Sequence, residues 1–145
     1  MRRIPLLLLI GQYFSVLILA SAAAADLRVQ IDEPQNRNGV MRFALYNRAS
    51  EFPTHEGRFA HLDIPVPKEG VIEAVFTNLP PGTYAVAAYH DENANGEFDQ
   101  GLLGFPLEGY GFSNNARGFL RAPSFSSAAI ILGKEGKTTR LLLSY

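Results

Sequence analysis

Apolar residues in this chain recur at every second position, in short runs that glycine, proline and asparagine bring to an end. Leu27, Val29 and Ile31 alternate with Arg28, Gln30 and Asp32. Met41, Phe43 and Leu45 alternate with Arg42, Ala44 and Tyr46, and Ile72, Ala74 and Phe76 share one side of a later run. A period of two sends neighbouring side chains to opposite faces of an extended backbone, so each run reads as a half-buried strand. Thr83–His90, TYAVAAYH, is apolar on both faces, which marks a central strand covered from both sides. EPQNRNG (33–39), Asn78-Leu79-Pro80-Pro81-Gly82 and Gly133-Lys134-Glu135-Gly136 stand between runs. Proline lacks the N–H a ladder needs, while asparagine and glycine accept positive φ, so these segments turn the chain. The runs at 27–32 and 40–46 read as one hairpin, and those at 128–132 and 138–144 as another.

Asn47–Gly70 contains Pro53, Pro65 and Pro67. It reads as a long loop with one short helical turn near 56–61. Its histidines, His55 and His61, lie far in sequence from other ligating groups and are expected to be solvent-facing rather than functional. No segment shows a helical stripe. Six or seven short strands without a convincing helix predict an all-β chain: a single antiparallel β-sandwich, immunoglobulin-like or transthyretin-like.

The start of the chain is different. Arg2 and Arg3 precede a mostly apolar stretch, Ile4–Ala20, and Ala23-Ala24-Ala25 has the small-x-small form of a processing site. Residues 1–25 are therefore expected to be a secretory signal peptide, and 26–145 the exported domain, periplasmic or extracellular. Removing Arg2 and Arg3 from 13 basic residues leaves 11 against 14 acidic ones, a formal charge of −3. No basic patch suggests nucleic acid, and no second apolar stretch suggests a membrane partner once the leader is gone. The chain has no cysteine, which excludes disulfides, thiol catalysis and thiolate metal ligands. A monomer is expected.

His90–Asp99, HDENANGEFD, carries the clearest chemistry. Asp91, Asn93, Asn95 and Asp99 place oxygen-bearing side chains at alternate positions, Gly96 follows the third, and Glu97 offers a backbone carbonyl. A tight loop can turn such groups to one centre, as hard cations such as calcium require. The pattern fills positions 1, 3, 5, 6, 7 and 9 of an EF-hand loop, but Leu102 stands where the bidentate glutamate should be. Glu108, from the following loop, is the candidate replacement. The same residue types also make ordinary turns by bonding their own backbone.

Gly101–Gly118, GLLGFPLEGYGFSNNARG, is long for a loop in a compact domain. Phe105, Tyr110 and Phe112 imply docking on the domain rather than disorder. Tyr84, His90, Glu108, Tyr110, Phe112, Asn114 and Arg117 are the candidate lining of a pocket for a small molecule or protein. In the alternative, Arg117 pairs with Glu108 or Asp99 and the amides serve loop backbone. Hydrolysis by His90 with Asp91 or Glu108 is a weaker possibility, since no nucleophile elbow or zinc motif accompanies them.

Leu79-Pro80-Pro81-Gly82-Thr83-Tyr84-Ala85-Val86 followed by His90–Gly96, then Leu103-Gly104-Phe105-Pro106 through Glu108 and Tyr110–Arg117, form long ordered blocks. With Gly39–Asn47 and Pro123-Ser124-Phe125, they resemble a bacterial exported family known as domain of unknown function 2141. The resemblance spans nearly all of residues 26–145. It implies a small exported β-sandwich and brings no established activity. Ala94 departs from it, since glycine is more frequent there in the family.

Overall fold

The computed structural model describes residues 24–145. The expected signal peptide, residues 1–25, lies outside the described residues except for Ala24 and Ala25. Ala25 already opens the first strand, opposite Leu79.

Eight strands follow in order: β1 Ala25–Ile31, β2 Val40–Tyr46, β3 Ala60–Pro65, β4 Ile72–Leu79, β5 Gly82–Asp91, β6 Tyr110–Phe112, β7 Ile130–Leu132 and β8 Lys137–Arg140. They form two sheets. One has the order β4-β1-β8; the other runs β3-β2-β5-β6, with β7 also on β5. Alternation decides what meets between them. Leu27, Val29 and Ile31 of β1 and Ile72, Ala74 and Phe76 of β4 share one buried cluster with Met41, Phe43 and Leu45 of β2 and Tyr84, Val86 and Ala88 of β5. Burying each large member of that cluster stabilises the fold by about 1.5–3 kcal/mol. The protein is all-β, with two antiparallel-rich sheets around a shared core.

The pairing differs from expectation. β1 and β2 are not a hairpin: β1 pairs β4 and β8, and β2 pairs β3 and β5. Alternation fixes which face of a strand is buried but not who its neighbour is, and the connection between these two exceeds a tight hairpin loop. It crosses from sheet to sheet, held by Arg37, whose guanidinium donates to the carbonyls of Pro67 and Gly70. β7 and β8 likewise part across Gly133–Gly136. β7 fills the edge of β5 at Gly82–Tyr84, beyond the reach of β6, while β8 runs parallel to β1. The sheets are thus not purely antiparallel.

Two strands arise in segments read as loops. β3 is an edge strand, where a terminal Pro65 is tolerated, and its alternate residues Ala60, Leu62 and Ile64 pack against the core. The short β6 pairs Tyr110–Phe112 with Ala87–Tyr89. The run read as a strand from Ala128 begins later, at Ile130, because a single helical turn, α1 Phe125–Ala128, precedes it with Ser124 as its N-cap. The turn expected near 56–61 is a short 3-10 turn at Ala49–Glu51 instead.

β5 is covered on both faces, as its composition requires. Tyr84, Val86, Ala88 and His90 face the main core, while Ala85 lies in a second cluster with Ala116 and Ala128, packed by Phe52, Phe112 and Phe125. Between the β6 and β7 pairings, the buried Ser113 hydroxyl accepts from the Val86 N–H at 2.9 Å and donates to the Ala128 carbonyl. Ser113→Ala leaves that N–H without its partner, and a urea titration is expected to show a loss of about 2 kcal/mol.

Candidate functional site

β5 delivers two polar residues to the rim of the core. His90 follows the inward parity of Tyr84, Val86 and Ala88 and is fully buried. Its Nε2 donates to the Asn38 carbonyl at 2.7 Å, and Nδ1 shares a hydrogen bond with the Tyr145 hydroxyl at 2.8 Å. The same hydroxyl accepts from the Gln35 N–H. His90 thus ties two chain segments together, with both nitrogens committed.

Asp91 follows on the opposite parity and is also fully buried. In the β2–β5 register Arg42 faces Tyr89, and in the β2–β3 register it faces Asp63. Its guanidinium therefore lies between two carboxylates, with Nε on Asp91 Oδ2 at 2.7 Å and Nη1 on Asp63 Oδ2 at 2.6 Å. Burial alone would raise the Asp91 carboxyl. The Arg42 bond and the N–H groups of Gly96 and Asn95 outweigh it and hold the group below its ordinary value.

The loop folds around that carboxylate. Asp91 Oδ1 accepts from the Asn95 N–H and Oδ2 from the Gly96 N–H. Asn93 Oδ1 accepts from the Asn95 N–H and Asn95 Oδ1 from the Glu97 N–H, each at 2.9 Å. These side-chain oxygens turn inward along the loop. Gly96 has φ 88 and Ala94 φ 56, left-handed angles that glycine adopts freely and alanine resists. Asp99 closes the ring, accepting from Asn93 Nδ2 at 2.7 Å and from Asn95 Nδ2 at 3.1 and 3.2 Å. Asp91, Asn93, Asn95 and Asp99 are brought together; Glu97 contributes its backbone N–H to the loop. Two carboxylates and two carboxamides suit a hard cation as a donor set. Among the described residues, no three His, Asp or Glu side chains gather as a metal-holding group.

Glu108 reaches this loop by its backbone. Its carboxylate oxygens accept from the N–H groups of Glu92 at 3.2 Å and Asp99 at 3.1 Å. Burial raises its carboxyl, the two N–H bonds offset part of the rise, and the nearby Asp99 and Asp91 charges add to it.

The remaining pocket candidates are dispersed. Tyr84 sits in the core at the other end of β5 and donates to the Pro80 carbonyl. Phe112 packs edge-on against Phe52 at 5.7 Å, and half-buried Tyr110 stacks between Phe98 and Phe112. Asn114 donates to the Ala129 carbonyl. Arg117 pairs with neither Glu108 nor Asp99 but reaches the Ser144 hydroxyl. Phe105 is exposed rather than docked. Sequence reasoning passed over Arg42 and Tyr145. A cation inside an alternating strand was the one available signal for Arg42, and nothing in sequence ties Tyr145 to His90.

A family model described as an uncharacterised protein conserved in bacteria, DUF2141, matches residues 29–140. The chain belongs to this family. The match runs from within β1 to the last residue of β8, so in this DUF2141 chain both sheets and the Asp91–Asp99 loop lie inside the family's boundaries. Comparison with curated proteins and with solved structures gives no match.

Proposed function

We propose that this chain is a non-catalytic exported module whose Asp91–Asp99 loop binds a hard divalent cation of the calcium type. The observation that carries this reading is that the Asn93 and Asn95 amides gather on the Asp99 carboxylate in the loop that Asp91 opens. A cation would take over the charge compensation those amides supply. The Asn93 and Asn95 side chains would turn their oxygens to it, and Glu108 would hold the loop's backbone from behind. The commitment of both His90 nitrogens to structural partners supports a binding role over hydrolysis. Export is inferred from the leader-like sequence of residues 1–25. For the fold, we take the two sheets to be a sandwich of the immunoglobulin-like or transthyretin-like kind.

The test is a thermal melt in chelator and then in millimolar calcium, with Asp99→Asn alongside. Asp99 is a better probe than the buried Asp91, whose removal unsettles the fold by itself. The midpoint is expected to rise by about 5–10 °C in the parent and to stay put in Asp99→Asn. An unchanged parent midpoint defeats the reading.

A further inference from the structure

One positive charge already stands against the candidate cation loop. Arg42 is half-buried, and its Nε donates to the fully buried Asp91 at 2.7 Å. Its Nη1 donates to the exposed Asp63 at 2.6 Å. A Cβ added at Gly96 would stand 3.7 Å from Arg42 Nη2, so the guanidinium lies against the loop backbone as well as against the carboxylate. The sheet holds it there. Arg42 faces Tyr89 of β5 on one side and Asp63 of β3 on the other, and the Tyr89 hydroxyl donates to the Gly96 carbonyl.

The two oxygens of Asp91 are unequally used. Oδ2 accepts from Arg42 and from the Gly96 N–H, whereas Oδ1 accepts from the Asn95 N–H alone. A carboxylate oxygen has room for a further partner beyond one N–H, so the guanidinium leaves Oδ1 open to an external ligand. It acts on such a ligand by charge. Of Asp91, Asn93, Asn95 and Asp99, only the two aspartates are ionised, and Arg42 offsets one of them. Two cations that share one carboxylate repel each other, and burial of that carboxylate weakens the screening by water. The affinity of an oxygen loop for calcium follows its ligand charge count.

We propose that Arg42 is an internal counter-ion that competes with the external cation for Asp91 and so keeps the loop's affinity low. The inference rests on the calcium-type reading of the loop and adds its regulation. Asp63 moderates the competition, because it draws part of the guanidinium's charge away from Asp91. The competition also favours a divalent ion over a monovalent one, which brings no more charge than the guanidinium already supplies. A purely structural Arg42 predicts the opposite sign: without it Asp91 loses its anchor, and the loop binds less well.

Calorimetric titration with calcium alone, on the parent, Arg42→Gln, Arg42→Lys and Asp63→Asn, tests this. Arg42→Gln is expected to bind about tenfold more tightly than the parent, even though it melts lower in chelator. Arg42→Lys keeps the charge and is expected to bind within about threefold of the parent, and Asp63→Asn to bind more weakly. Equal or weaker binding by Arg42→Gln overturns the competition and leaves the calcium reading standing. Binding by Arg42→Gln but not by the parent upholds the competition and removes calcium from the parent's function. No binding by either defeats both. If Arg42→Gln does not fold, the exposed Asp63 decides: undiminished binding by Asp63→Asn, or none by the parent, overturns the proposal.

Discussion

Asp91→Ala is expected to lower the unfolding free energy by about 3–5 kcal/mol, the size seen when one member of a buried ion pair is removed. The carboxylate is fully buried, and its oxygens take the Arg42 guanidinium and the N–H groups of Asn95 and Gly96. Alanine leaves the Gly96 N–H without its acceptor, leaves the Asn95 N–H with Asn93 Oδ1 alone, and turns Arg42 toward Asp63 alone. Urea titration of parent and variant checks the magnitude. The acid limb checks the cause. Asp91 titrates below its ordinary value when folded, so its contribution is present above the unfolded value of about 3.9 and is lost as pH falls through the folded one. The stability gap between parent and Asp91→Ala should therefore close as pH falls below about 4. Glu108 works in the opposite sense. Its folded value is raised, so its contribution is complete below the unfolded value and is lost as pH rises through the folded one. A gap that stays constant down to strong acid would show that Asp91 acts by packing rather than by charge.

Gly39→Ala carries the other large effect. Gly39 has φ 67, and a Cβ there would overlap the Asp91 carbonyl and the Glu92 backbone. The residue lies where the 32–39 connection passes over the end of β5. Its carbonyl accepts from the Val66 N–H, and the preceding carbonyl holds His90. A methyl group must push these layers apart. The left-handed angle costs alanine about 1–2 kcal/mol and the overlap about 1–3, so a loss of about 3 kcal/mol is expected in chemical denaturation. Gly39→Asn separates the two causes, because asparagine tolerates the angle but still carries a Cβ. If asparagine restores parental stability, the close approach is not the constraint.

The strands of this chain were largely readable as strands, because alternation of Leu27, Val29 and Ile31 or of Met41, Phe43 and Leu45 reports directly on which face is buried. Who pairs with whom was not readable. Two alternating runs look the same whether they are neighbours in one sheet or opposite walls of one core, and both expected hairpins proved to be crossings between sheets. β3 was hidden by Pro65, which an edge strand accommodates at its end. In the loop, the alternate oxygens at 91, 93 and 95 were legible because their spacing is local. Arg42 was not, because it is 49 positions away and reads as one more solvent-facing side chain until the β2–β5 register sets it opposite Tyr89, within hydrogen-bond reach of Asp91. The segment 101–107 shows the same limit: Phe105 reads as a docking residue, and only its exposure tells it apart from Phe112, which packs on Phe52.

The parallel pairing of β1 with β8 has a temporal consequence. Leu27 lies beside Lys137 and Gln30 beside Arg140, so during synthesis β1 must wait for β8, more than a hundred positions later. β4 can cover one edge of β1 early, but the other stays open until β8 has been made. Contacts of such long sequence separation slow folding, so the domain should acquire its final structure in one late step rather than by vectorial addition of strands. During that interval β1 presents an unpaired edge of the kind that recruits other chains. Truncation just before β8 would make the interval permanent, leaving a nascent-like species prone to aggregate.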